Sequence, residues 1–302
     1  MPKVILAASI SESFQQFLLS KNYELDMKYN NPDSIAQAEG IITSTKLIIN
    51  KDFINQAKNL KWIARLGSGL EIIDTEYAAS KNIFCCNSPA GIANAVAEHV
   101  IALIINLQKN IVKSARQVQQ YLWIREENRG VELEGKTIGI IGFGHTGIKV
   151  AEKLSVFGCN IIAYDKYKII QHPFVKNVSL QELYLHSDIV SFHVPLTAGT
   201  TNYYNADLFA KPHVVINTSR GKVAFTEAII KGFQSNQIIA AGLDVLDFEN
   251  EYPFSVQNIA QLASLKNYNC IITPHIAGYS FNAIQKMCAE LQKKLELCIF
   301  NE

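Results

Sequence analysis

No two cysteines in the chain are spaced as CxxC, no uninterrupted apolar run reaches the ~20 residues of a membrane span, and neither sign of charge dominates. With 28 Lys and Arg against 27 Asp and Glu, the formal net charge is +1. That balance removes the electrostatic case for nucleic acid or an anionic membrane as partner. The six cysteines, at 85, 86, 159, 270, 288 and 298, sit mostly among apolar neighbours. Such a pattern fits reduced thiols used as small core residues, and with it a cytoplasmic location. Adjacent Cys85 and Cys86 read as part of a buried strand rather than a redox pair. The opening "MPKVILAASI" has too short an apolar stretch for a signal peptide and reads as a first strand. Internal repeats and low-complexity tracts are absent, and no metal site is expected.

What is present is an ordinary globular composition, 48% hydrophobic and 18% charged, over 302 residues. That length is large for a single core and suits two domains. In the first ninety or so residues, short apolar runs at 4–9, 40–44, 61–67 and 82–88 alternate with helical patterns. A long helical stretch follows at 94–120, apolar nearly all round in its first half and therefore expected to be buried, in part against a second subunit. Six further strands are expected at 137–142, 160–165, 188–195, 213–219, 238–245 and 270–276, and a last helix at 281–300. The alternation predicts an α/β fold of two Rossmann-like, doubly wound domains with parallel sheets and an active-site cleft between them.

The stretch "IGIIGFGHTG", residues 138–147, carries glycines in G-x-G-x-x-G spacing between a strand and an amphipathic helix. Gly142 suits the tight turn, Gly144 the approach of a phosphate, and Gly147 close packing of helix on strand. A pyrophosphate would sit at the positive end of that helix. The next strand ends in Asp165, a carboxylate placed to accept from an adenosine ribose and to repel a 2′-phosphate, which predicts NAD over NADP. Lys166 beside it is a cation that could tolerate such a phosphate. A bare glycine pattern could be only a turn, and Asp165 only a strand-end turn residue. Their order and spacing favour the dinucleotide.

Later strand ends carry Arg220 in "INTSRGKV", Asp244 and Glu249 in "GLDVLDFENEYPF", and His275 in "ITPHIAGYS". Oxidation of a 2-hydroxy acid requires a base for the hydroxyl proton, and histidine titrates near neutral pH. A carboxylate substrate requires a cation, and arginine binds one with two parallel hydrogen bonds. A glutamate beside the histidine would orient its ring and stabilise the imidazolium. Singly, each has a plainer reading as a surface cation, a solvated acid or a structural donor.

Together these stretches resemble the D-isomer-specific 2-hydroxyacid dehydrogenases. So do "NSPAGIANAVAEH" (87–99), "RGVELEGKTIGIIGFGHTG" (129–147) and "FHVPLTAGT" (192–200), so the likeness covers nearly the whole chain. The resemblance implies a split flavodoxin-like substrate-binding domain, residues 1–94 plus 279–302, around an NAD-binding Rossmann domain at 95–278. It implies a homodimer formed through the cofactor domain by the helix that begins near Asn94. It gives Arg220 the substrate's carboxylate and carbonyl region, His275 the proton, and Glu249 the partnership with His275. It places Asp244 at the nicotinamide carboxamide, His145 and Thr146 over the pyrophosphate, and Val194 and Pro195 against the adenine. Thr200, Thr218, Ser219 and Gly278 complete the cofactor lining. The amides around Ser68 and Gly69 would hold the substrate carboxylate, although that loop could equally be a tight turn.

Within the family the run is most like short-form D-3-phosphoglycerate dehydrogenases, lacking the C-terminal serine-sensing domain of longer relatives. One departure bears on substrate: Ser44 stands where many phosphoglycerate enzymes carry arginine, with Lys46 the nearby cation. Glu71 and Ile72 replace the family's usual Asp and Asn. Phosphoglycerate therefore leads over glyoxylate, hydroxypyruvate or another small 2-keto acid. Formate dehydrogenases lack the glutamate–histidine pair, and L-specific lactate and malate enzymes place the glycine loop near the N-terminus. A reading from another class is a non-catalytic NAD-sensing protein of the same fold, against which the retained Arg220, Glu249 and His275 argue.

Overall fold

The structure is a computed structural model that describes residues 1–45 and 47–300. The chain divides into two compact units, residues 1–93 with 279–302, and residues 94–278. In the first unit the strands are β1 (Lys3–Leu6), β2 (Glu24–Asp26), β3 (Ala38–Thr43), β4 (Trp62–Arg65) and β5 (Phe84–Asn87). They form one sheet in the order β2-β1-β3-β4-β5, with every pairing parallel. This is the flavodoxin-like order. Parallel strands covered on both faces read as continuous apolar runs, and β3 and β4 are buried at nearly every position. Helices α1 (Glu12–Ser20), α2 (Pro32–Gln37), α3 (Lys51–Gln56) and α4 (Thr75–Ser80) connect them. Each has an Asn, Asp or Ser N-cap whose side chain accepts a backbone N–H.

The stretch expected as one helix at 94–120 is two, α5 (Pro89–Gln108) and α6 (Ile111–Gln119). The break falls at Asn110, whose φ of 54° is left-handed, a conformation asparagine tolerates better than most residues. Carbonyls freed at the end of α5 are taken up by Val131 N–H on Gln108 at 2.9 Å and by the Asn269 amide on Leu107 at 3.3 Å. By length and composition, α5 is apolar enough to cross a membrane. Here it buries a stripe formed by Val96, Ala97, Val100, Leu103, Ile104 and Leu107.

The second unit holds β6 (Thr137–Ile141), α7 (His145–Leu154), β7 (Asn160–Tyr164), β8 (Lys176–Asn177), α8 (Leu180–His186) and β9 (Ile189–Phe192). It continues with β10 (His213–Asn217), α9 (Thr226–Gln234), β11 (Ile238–Leu243), α10 (Val256–Leu265) and β12 (Cys270–Ile272). The sheet order is β12-β11-β10-β9-β6-β7-β8, all parallel. Strand order reverses between β6 and β9, which makes the C-terminal end of that pair the switch point where such sheets bind ligands. The core beneath it gathers Ile141, Val190, Phe192, Val215, Ile229, Phe233 and Leu243. The last helix, α11 (Phe281–Leu295), belongs to the first unit and stops short of the expected 300, giving way to a π turn at Glu296–Phe300. Its Cys288 thiol accepts from the Ser11 N–H, and its Glu290 carboxylate accepts from the Gly91 N–H at 2.8 Å.

Candidate active site

The glycine loop runs from β6 into α7 at the switch point. Gly142 has φ 89°, and a Cβ there would stand 2.5 Å from the His193 carbonyl oxygen, so the turn admits only glycine. A Cβ on Gly147 would collide with the Gly142 carbonyl, whereas one on Gly144 would meet nothing within 4 Å. The middle glycine therefore faces open space at the N-terminus of α7, whose N-cap is Gly144 and carries no side-chain cap. His145 and Thr146 form the first helical turn. This is the shape a pyrophosphate requires: exposed helix-start amides and a backbone without side chains in the way.

Asp165, the residue after β7, has both carboxylate oxygens on backbone amides: Oδ2 accepts from Phe143 at 2.9 Å and Oδ1 from Tyr167 at 2.9 Å. The acid thus ties its own strand end to the glycine loop. Val194 and Pro195 follow β9 on the other side of the switch point. Thr200 folds their loop, its hydroxyl donating to the Pro195 carbonyl at 2.6 Å and accepting from the Thr197 N–H at 2.7 Å. After β10, Ser219 N–H and hydroxyl both donate to Asn217 Oδ1, and Asn217 Nδ2 donates to the Arg220 carbonyl at 3.0 Å. Beside them the Thr218 hydroxyl is buried without a hydrogen-bond partner. An unpartnered buried hydroxyl is costly unless a ligand satisfies it. With the open glycine cradle, it shows that the residues present fit a dinucleotide.

The catalytic candidates converge in this unit. Arg220 extends from the turn after β10, its Nη1 donating to the Ser219 carbonyl at 2.7 Å. At the next position a Cβ on Gly221 would strike the Leu246 backbone, so this turn lies directly against the segment leading to Glu249. Glu249 is aimed by that segment: Oε2 accepts from Leu246 N–H at 3.1 Å, and Oε1 lies 2.8 Å from His275 Nδ1. Because a carboxylate only accepts, His275 Nδ1 carries the hydrogen and Nε2 is left for chemistry. The Glu249 hydrogen bond raises the His275 pKa above its ordinary 6.5, against the opposing effect of burial and of the Arg220 charge. Burial instead pushes His193 and His213 down to about 4, so both are neutral structural groups at working pH.

Asp244 is fully buried and anchors the His275 loop. Its Oδ1 accepts from Thr273 Oγ1 at 2.5 Å and Ile276 N–H at 2.9 Å, and its Oδ2 from Ala277 N–H at 2.8 Å. Gly278 closes the loop and the unit. Thr273 in turn lies 3.0 Å from His99 Nε2 on α5. Asn217, Thr273 and His99 carry no signal in the sequence that distinguishes them from other polar residues, although His99 ends the "AVAEH" stretch.

In the first unit, Ser68 and Gly69 follow β4. The turn is pinned by Asn87 Nδ2 donating to the Ser68 carbonyl at 2.6 Å and by Ser88 Oγ accepting from Gly67 N–H at 3.1 Å. The Glu71 carboxylate lies so close to Gly69 that a Cβ there would collide with it. Glu71 pairs with Arg65 at 2.6 Å, and Arg65 Nε donates to the Ser44 carbonyl at 3.1 Å. Lys46, the other candidate substrate cation, lies outside the described residues.

A dinucleotide sheet whose strand ends carry an arginine and a glutamate-held histidine defines a nicotinamide-dependent oxidoreductase. Comparison with known proteins narrows the class. Residues 101–277 match the family model for the D-isomer specific 2-hydroxyacid dehydrogenase NAD binding domain. A hydroxypyruvate reductase of Thermotoga maritima is 35% identical over 264 residues, covering 86% of this chain and 85% of that protein. A D-3-phosphoglycerate dehydrogenase of Archaeoglobus fulgidus is 31% identical over 91% of this chain, which spans only 53% of that protein's length. The structure of a D-lactate dehydrogenase from Aquifex aeolicus, complexed with NAD and lactic acid, superposes with a TM-score of 0.85 at 26% identity, covering 99% of this chain and 95% of that one. The chain belongs to the D-isomer specific 2-hydroxyacid dehydrogenases, NAD-dependent oxidoreductases acting on CH–OH groups.

Proposed function

We propose that the chain interconverts a small D-2-hydroxy acid and its 2-keto acid, with His275 moving the proton. The observation that carries this reading is the 2.8 Å contact between His275 Nδ1 and Glu249 Oε1. With Nδ1 engaged, Nε2 donates a proton to the carbonyl oxygen in reduction and takes the hydroxyl proton in oxidation. Glu249 holds the ring and favours the charged form. Arg220 binds the substrate carboxylate, and within the other unit the amides around Ser68 and Gly69 are proposed as substrate donors. NAD, when bound, supplies or accepts the hydride at the carbon that bears the oxygen. Its pyrophosphate is assigned to the Gly142–Gly147 loop with His145 and Thr146, its adenosine ribose to Asp165, and its adenine to Val194 and Pro195. Thr200, Thr218, Ser219 and Gly278 line it further, and Asp244 takes the carboxamide. Residues 95–278 act as the cofactor domain, and residues 1–94 with 279–302 as the substrate domain.

The finer reading is D-3-phosphoglycerate, supported by the run of motifs and by the Archaeoglobus relative, with serine biosynthesis as its setting and the cytoplasm as its place. The Thermotoga relative supports hydroxypyruvate. Two observations bear on the phosphate: Ser44 replaces a family arginine, and the nearby Arg65 is bound to Glu71. Lys46, two residues after Ser44 in the sequence and outside the described residues, is the cation proposed to serve a phosphorylated acid. The test follows NADH consumption with 3-phosphohydroxypyruvate, hydroxypyruvate, glyoxylate and pyruvate side by side. A kcat/KM advantage of about tenfold or more for the phosphorylated acid upholds phosphoglycerate. The reverse preference makes the enzyme a general 2-keto acid reductase, and tight NADH binding without turnover makes it an NAD-sensing protein. A second copy of the chain is proposed to pack on the cofactor domain along the helical stretch that begins near Asn94 and runs through α6. There Tyr121, Trp123 and Val118 are 97%, 80% and 49% exposed.

A further inference from the structure

Helix α5 reaches the loop that carries His275. His99 Nε2 lies 3.0 Å from Thr273 Oγ1, which lies 2.5 Å from Asp244 Oδ1. The Asp244 carboxylate can only accept, so the Thr273 hydroxyl donates to it and keeps a lone pair for the His99 Nε2–H. His99 Nε2 is also 3.6 Å from Asp244 Oδ1, while the Asp244 side chain is fully buried. The same carboxylate receives the Ile276 amide on Oδ1 and the Ala277 amide on Oδ2, and the Asp244 carbonyl receives the His275 N–H at 2.8 Å. His275 itself has a φ of 55°, a left-handed backbone for a residue with a Cβ. Such a conformation persists only where its neighbours are held on both sides. Thr273, two residues before His275, and Ile276, directly after it, are held in this way, and both hang on one carboxylate oxygen.

We propose that His99 is a positioning residue: through Thr273 it fixes the Asp244 carboxylate, and through that carboxylate the loop that aims His275. The inference rests on the assignment of His275 as the proton carrier. Glu249 and Asp244 face His275 and favour its charge, and Arg220 opposes it. A slackened loop loosens the Glu249 contact first, and the His275 pKa falls toward 6.5.

The experiment compares His99→Leu, His99→Gln, Thr273→Val and the double variant His99→Leu with Thr273→Val. His99→Leu is expected to lower kcat for keto-acid reduction about tenfold, with a smaller change in NADH affinity, and to move the pH limb of kcat to lower pH. Glutamine, which places an amide N–H at comparable reach, restores most of the loss. Thr273→Val reproduces the defect, and the double variant is no slower than either single change, because both break one chain of bonds. Wild-type kcat in His99→Leu overturns the proposal. So do additive losses in the double variant, or a loss with an unmoved pH limb. Should no acid turn over in the wild type, the assignment of His275 as proton carrier fails on its own account. The His275 imidazole titration followed by NMR then still decides: a midpoint lowered in His99→Leu supports the link, and an unmoved one refutes it.

Discussion

Histidines 193, 213 and 275 differ in company rather than in kind. His213 opens β10 and His193 follows the end of β9, and burial pushes both down, whereas His275 faces a carboxylate that stabilises its charge. Its raised pKa keeps the imidazolium to higher pH than free histidine would. On the proposed mechanism reduction consumes that proton, so it is expected to fall off as pH rises through the raised value. Glu249→Gln removes the first cause of the shift. The fall-off in kcat/KM for reduction is then expected at lower pH, with kcat at neutral pH reduced by roughly one to two orders of magnitude. A pH–rate profile with NADH and the preferred keto acid checks both, and an unmoved limb denies Glu249 its role. The sequence pointed to His275, Glu249 and Arg220 because each residue type suits one task and each follows a strand. It could not point to Thr273 or Asn217, since a hydroxyl or an amide gains its role only from what folding sets beside it.

Among elements, the strands of the second unit were legible as apolar runs, but each ends earlier than its run. The apolar pattern continues through Val194, Val245 and Ile276, whose chain has already left the sheet. The overrun is physical: loops at a switch point are packed and apolar too, so hydropathy does not mark where pairing stops. Strands β2 and β8 escaped detection for the opposite reason, being edge strands of three and two residues in which only Leu25 is apolar. The glycine loop was legible because its constraint is local. Gly142→Ala would force a side chain into a left-handed turn and against the His193 carbonyl. NADH affinity, read by nucleotide fluorescence, is expected to weaken about tenfold or more, with a stability loss of ~1–3 kcal/mol. Unchanged affinity would remove this loop from the cofactor site.

For the whole molecule, the exposed aromatic and aliphatic side chains around α6 carry the proposed dimer. Light scattering on the purified protein is expected to report twice the chain mass, and Trp123→Asp to lower it to that of one chain. A wild-type monomer at micromolar concentration would refute the interface. Of the thiols, Cys86 and Cys288 are buried, Cys85, Cys159 and Cys270 half-buried, and Cys298 exposed, so the expected core role holds for some and not for Cys298. Burial pushes Cys85 up to about 11 and Cys86 and Cys270 up to about 12, which leaves them poor nucleophiles.

The sequence by itself determined the two α/β units, the glycine loop and the residue types on which the proposed acid–base pair rests. Those depend on short-range patterns: apolar periodicity, glycine spacing, and one side chain's chemistry after one strand. Only the tertiary structure decided that α5 and α6 part at Asn110, that Glu71 closes on Arg65, and that Asp244 clamps the His275 loop with His99 behind it. Each of those is a contact between segments far apart in the chain or a backbone choice that such contacts stabilise, and no local pattern encodes it.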